Sequence, residues 1–128
     1  MIWWVIDIII VLVAIGIYFY PRLRLRMVAK TLDNKEFNQK ISENGQLIDV
    51  RESKEFRLKH ILGARNLPHT QIEQSLGAIS KNKPVLLYEN GRPQITTRVA
   101  GKLKKAGITE IYILKTGLTK WGGKVKEQ

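Results

Sequence analysis

LIDVRESKEFRLKHILGARNLP, residues 47–68, packs a strand, a sharp corner, a brief helix and an extended return into 22 residues. Gln46 to Val50 is a short apolar strand, and Asp49 at its end can accept hydrogen bonds from the backbone N–H groups of the turn that follows. Arg51 and Glu55 are placed to form an ion pair bracing that corner. Ser53 is a candidate cap for the helix SKEFRL. HILGARNLP then reads as an extended segment stopped by Pro68, with Gly63 and Ala64 small enough to let backbones approach. Phe56 reads as a core residue.

Downstream the same grammar repeats in PVLLYENGRPQITTRVA, residues 84–100. An apolar run, Val85 to Tyr88, enters a loop with Gly91 and Pro93 and then a helix over about 95–106. That helix sets Ile95, Val99, Leu103 and Ala106 on one side and Arg98, Lys102 and Lys105 on another. Gly107 ends it. Upstream, Asp33 or Asn34 caps a helix reaching about Asn44, with Phe37 and Ile41 on one face and Gly45 as its stop. Residues 71–79 read as helical, Ile111 to Leu114 as a further strand, and a last short helix carries Trp121. Strands without polar alternation, separated by helices, imply a mainly parallel sheet covered on both faces, hence a three-layer α/β domain. Ligands in such folds bind beyond the carboxyl ends of the strands, which is where the loop after Tyr88 lies. That loop, Glu89, Asn90, Gly91, Arg92, Pro93, Gln94 and Ile95, is the candidate site.

The segment before the domain is of another kind. Residues 2–20, IWWVIDIIIVLVAIGIYFY, carry one charged side chain, Asp7. As a helix they span about 28 Å, close to the thickness of a bilayer's hydrocarbon core. Trp3 and Trp4 flank one end, Tyr18 and Tyr20 the other, in the manner of interfacial anchors. A cleaved signal peptide is the competing reading, but no basic residue precedes the apolar run and no small-residue cleavage pattern follows it. Arg22, Arg24, Arg26 and Lys30 follow instead, and by the positive-inside rule they stay cytoplasmic. The expectation is a single-pass protein of the cell membrane with its soluble domain in the cytoplasm. Its parts are an anchor over 1–21, a basic connector over 22–29, the domain over 30–123 and a basic tail over 124–128.

The net charge is +11, and +12 beyond the anchor, since Asp7 is the anchor's one charge. Such a domain is drawn to anionic surfaces. An anchor next to basic residues favours anionic lipid as a partner, and the scarcity of aromatics in the basic segments argues against nucleic acid. The Arg98, Lys102, Lys105 stripe is also what an ordinary solvated helix face looks like. There is no cysteine, so disulfides, thiolate metal sites and a thiol nucleophile are excluded. His60 and His69 have no carboxylate at metal-ligand spacing, and neither a metal nor a cofactor is expected.

Taken together, residues 47–68, through Asp49, Arg51, Glu55, Phe56, His60, Ile61, Gly63, Ala64, Asn66, Leu67 and Pro68, resemble the first signature of the rhodanese-like sulfurtransferase domain. Residues 85–121, including Gly117 and Trp121, resemble its second half. The resemblance covers roughly residues 30–123 and implies that His60 belongs to the scaffold. It also implies a reaction. Active members carry a cysteine at the position of Glu89, whose thiolate takes a sulfane sulfur from a donor such as thiosulfate and hands it to an acceptor. The phosphatase chemistry found on this fold needs that cysteine too, with an arginine six residues later, where Ile95 stands here.

A carboxylate cannot hold a persulfide, so no catalytic residue is assigned. The expectation is a non-catalytic binding or scaffolding module with an unidentified protein partner. Its contact surfaces would be the loop rim and the basic stripe. The alternatives are an enzyme using a partner's thiol or Glu89 itself, and an adaptor for anionic lipid surfaces. For Glu89 two placements are open: its carboxylate fills the ring of amides meant for a sulfur anion, with Arg92 as counter-charge, or it points into water.

Overall fold

A computed structural model describes residues 1–127, with the backbone alone for residues 21–28. Gln128 and the side chains of most of the expected basic connector lie outside the described residues. The apolar segment forms α1 (Trp3–Val28), exposed along its length over Trp3–Tyr20, the stretch long and apolar enough to cross a membrane. Pro21 does not end this helix. The backbone read as a connector is helical to Val28, consistent with the good helix formers Arg, Leu and Met that follow the proline.

Five strands build one sheet in the order β1 (Lys30–Leu32), β6 (Ile111–Leu114), β5 (Val85–Tyr88), β2 (Gln46–Asp49), β4 (Arg65–Asn66), every neighbouring pair parallel. The unbroken apolar run of β5 has a simple cause: successive side chains point to opposite faces, and both faces are covered. Val85 and Leu87 join Ile48, Val50 and Ile113 under Val99, Ala100 and Leu103 of α5 (Pro93–Lys105) and Ile72 of α4 (Ile72–Ser75). Leu86 and Tyr88 join Leu47 and Leu114 under Phe37 of α2 (Asn34–Ser42), with Ile61 and Leu118 beside them. The expected three-layer arrangement is therefore the observed one.

Several local expectations are corrected. Asp33, not Asn34, caps α2, accepting from the Glu36 N–H at 2.8 Å. That helix ends at Ser42, and the left-handed residue after it is Asn44 (φ 70°), so Gly45 is not its stop. The cap position of α3 (Ser53–Leu58) is Glu52, which makes no side-chain cap bond, and Ser53 is already helical. Residues 69–78 are a short α-helical turn between two 3-10 turns. Trp121 follows a 3-10 turn, Leu118–Lys120, and meets Phe37 edge-on.

The segment read as a basic tail holds a strand, β7 (Val125–Glu127), paired antiparallel with β3 (Lys59–Ile61). Phe56 is half-buried at the periphery and stacks on His60, ring centroids 3.8 Å apart. A side chain on Gly63 would meet nothing, so close approach does not explain it; its φ of 90° does.

Candidate functional site

The carboxyl ends of β2 and β5 lie side by side, with Asp49 paired to Tyr88. From this edge the chain turns twice. After β2, Asp49 accepts from the Arg51 N–H at 2.9 Å, as its place before the turn suggests, and its carboxylate takes the Arg51 guanidinium through Nε at 3.0 Å and Nη2 at 2.7 Å. Both residues are buried, and Nη2 also donates to the Lys59 carbonyl. The pair is thus satisfied by hydrogen bonds on more than one side, which a buried ion pair needs.

The expected Arg51–Glu55 pair is replaced by a bridge through the loop. Asn90 donates from Nδ2 to Glu55 Oε2 at 2.6 Å and accepts from Arg51 Nη1 at 3.3 Å. Asn66 donates from Nδ2 to the carbonyls of Asp49 and Arg51 at 3.1 and 2.9 Å, tying β4 to the same corner. His60 sits behind α3 with Nδ1 2.8 Å from the Phe56 carbonyl. A carbonyl only accepts, so Nδ1 carries the proton and the ring braces the scaffold.

After β5 comes Glu89, 1% exposed. Its carboxylate turns inward. Oε1 accepts from the N–H groups of Gly91 at 2.9 Å and Arg92 at 2.8 Å, while Oε2 accepts from Arg92 Nε at 2.9 Å and Nη2 at 2.7 Å. The loop therefore closes around a carboxylate supplied by its own chain, and of the two placements open for Glu89 the structure takes the inward one. Burial by itself pushes the Glu89 carboxyl up. The Arg92 N–H, the Arg92 guanidinium and the Gly91 N–H outweigh it and hold the group below its ordinary value.

The loop is held from outside as well. Leu118 N–H donates to the Glu89 carbonyl at 2.8 Å, and Thr119 Oγ1 donates to the Asn90 carbonyl. Just before them Gly117 adopts φ 64°, and a Cβ there would fall 2.4 Å from both the Glu89 carbonyl oxygen and the Gly91 nitrogen. Pro93 opens α5, Gln94 is exposed, and Ile95 packs against the core below. Thr119 and the Asn90 bridge were invisible in the sequence, because nothing local distinguishes a threonine whose partner lies 29 residues away.

Beside the loop a cleft of about 320 Å3 opens between α5 and the ends of β1 and β6, bounded by Thr31, Arg92, Pro93, Thr96, Ile113 and Lys115 among others. Chemically the site is an anion cradle already filled. A carboxylate with four donors on it and a lowered pKa is a poor base and a poor nucleophile. Among the described residues no group of three or more His, Asp or Glu is placed to hold a metal.

Residues 33–124 match the family model described as the rhodanese-like domain. The chain is similar to the uncharacterized protein YqhL of Bacillus subtilis (strain 168), 48% identical over 99 residues, which cover 77% of each chain. It is also similar to the uncharacterized protein YibN of Escherichia coli (strain K12), 32% identical over 84 residues, 63% of this chain and 58% of that one. Among solved structures, the BH2092 protein from Bacillus halodurans superposes with a TM-score of 0.70 at 22% identity, covering 84% of each chain. The last likeness is one of fold alone.

Proposed function

Because this chain belongs to the rhodanese-like domain family, we propose that it works as a non-catalytic binding module, anchored in the cell membrane by its first helix with the domain on the cytoplasmic side. The observation that carries this reading is the Glu89 carboxylate, seated on the Gly91 and Arg92 amides and clasped by the Arg92 guanidinium. The family's sulfur chemistry needs a thiol at that position, and the chain has no cysteine. A thiol brought by a partner would first have to displace a buried carboxylate from four hydrogen bonds. The rim is better suited to recognition: Arg92, Pro93 and Gln94 are exposed around the filled cradle. The anchor reading draws on the apolar Trp3–Tyr20 and on the run of arginines behind it.

Four measurements test this. Extraction of native membranes at alkaline pH should leave the full chain in the pellet, and protease added to the cytoplasmic side should remove the domain. Photo-crosslinking from Gln94 should capture one specific partner that the Glu89→Ala variant loses. The purified full chain in detergent should move no sulfur from thiosulfate to cyanide; turnover by the clean protein would overturn the non-catalytic reading.

A further inference from the structure

We infer that the exposed face of α5 is a docking surface for acidic lipid head groups, a step that rests on the membrane-anchor reading above. Two observations meet on this helix. First, α1 continues unbroken from the apolar Trp3–Tyr20 to Val28 and packs against α5. The eight residues beyond Tyr20 rise about 12 Å as a helix, so α5 is held close to the plane where the span leaves the bilayer. Second, α5 carries Arg98, Lys102, Lys104 and Lys105 and no acidic residue anywhere in PQITTRVAGKLKK.

The helix dipole accounts for part of this, since Lys102, Lys104 and Lys105 lie in the last turn, where cations are favoured. It does not account for Arg98, which is exposed in mid-helix. Lys81 extends the patch past the helix end, its Nζ reaching to 3.7 Å from where a Gly107 side chain would begin. Glu73 on an adjoining segment pairs with Lys102 at 3.1 Å and offsets its charge, so the patch rests on Arg98, Lys104, Lys105 and Lys81.

The opposite face of the sheet is different. There α2 alternates Lys35 with Glu36 and Lys40 with Glu43, so its charges nearly cancel. Of the two longer helices that cover the sheet, the basic one is therefore the one that touches the membrane-proximal helix. Tethering presents the lipid surface to that helix at a high local concentration of anions. Since α5 starts four residues after Glu89, docking it also fixes the height and direction of the filled loop relative to the bilayer.

The absence of cysteine allows single-site labelling of the full chain. In nanodiscs, a fluorophore on Gln94→Cys (first turn of α5) is compared with one on Asn38→Cys (exposed on α2), using lipids with a quencher on the head group. With phosphatidylglycerol present, quenching at position 94 should be at least twofold stronger than in phosphatidylcholine alone and should fade at high salt, while position 38 stays unchanged. Reversing Arg98, Lys104 and Lys105 to Glu should abolish the lipid dependence with the chain still in the disc. Equal quenching in both lipids overturns the docking surface and leaves the anchor standing. Shielding of α5 in native membranes but not in acidic nanodiscs also overturns it, in favour of a protein partner. Loss of the full chain from native membranes at alkaline pH overturns the anchor reading and the docking with it.

Discussion

Arg92 holds the Glu89 carboxylate from two directions: its backbone N–H donates to Oε1 at 2.8 Å, and its Nε and Nη2 donate to Oε2 at 2.9 and 2.7 Å. One residue thus supplies both a backbone donor and the counter-ion for its neighbour three positions back. The consequence is a loop whose shape depends on that carboxylate staying charged.

Glu89→Gln tests the dependence. The amide keeps one oxygen for the Gly91 and Arg92 N–H groups but turns an NH2 donor toward the guanidinium, so we expect a loss of about 1–2 kcal/mol in urea unfolding, at the low end for charged bonds because Arg92 is exposed. The sign with pH follows from the lowered pKa of Glu89. A carboxyl depressed in the folded state adds stability above its unfolded value, about 4.3, and loses it as pH falls through the folded value. The wild-type advantage over the Gln variant should therefore be flat from neutral pH down to about 5 and shrink below about 4. An advantage independent of pH would mean that the charge is not what matters.

Gly117→Ala acts on the same loop from outside. The φ of 64° penalises any side chain, and the added methyl would strike the Glu89 carbonyl and the Gly91 nitrogen at 2.4 Å. A backbone cost of about 1–2 kcal/mol plus an overpacking cost of about 1–3 kcal/mol should lower the melting temperature clearly. Amide NMR shifts of Gly91 and Arg92 should move as well, since the obstructed atoms belong to the loop. A stable variant with unmoved shifts would contradict the observed contact.

Tyr88→Phe probes how the loop edge is tied to the small antiparallel sheet. The Tyr88 hydroxyl accepts the Ile61 N–H at 3.0 Å in a fully buried setting, and burial pushes the phenol well up, so it stays neutral throughout the ordinary pH range. Removing the oxygen leaves a buried donor without its partner, at a cost of about 1–3 kcal/mol. Hydrogen exchange at Ile61 should quicken beyond what the global loss explains, because β3 is held to the core at that point.

What was legible in the sequence and what was not follows from range. Strands β2, β5 and β6 announce themselves as short apolar runs because both of their faces are covered. Strands β1 and β7 are KTL and VKE, three residues each, and become strands only by pairing with partners 82 and 64 or more residues away in the chain, Lys30 with Tyr112 and Val125 with Ile61 among them. The inward turn of Glu89 was one of two placements the sequence left open, and its partners are local, since the carboxylate stands two and three residues before N–H groups at a helix start. The choice of Asp49 rather than Glu55 by Arg51 was not, because Glu55 is drawn off by Asn90, 35 residues downstream.

Glu89→Cys asks how much of the family's machinery survives around the substituted residue. In the variant a sulfur would sit at the end of β5 beneath the Gly91 and Arg92 N–H groups that now hold Oε1. Those donors and the start of α5 favour a thiolate over a thiol, so its pKa should fall below the free value of about 8.5. Thiosulfate then supplies the test: the thiolate attacks the sulfane sulfur, the S–S bond breaks, sulfite leaves, and the enzyme gains one sulfur that mass spectrometry can weigh. Cyanide should remove it as thiocyanate. We expect slow but measurable turnover, since the Arg92 guanidinium, released from Glu89, is left beside the incoming dianion. A thiol whose pKa falls as expected but which takes up no sulfur would show that the loop has been reshaped around its carboxylate, and that sulfur transfer needs more than one changed side chain.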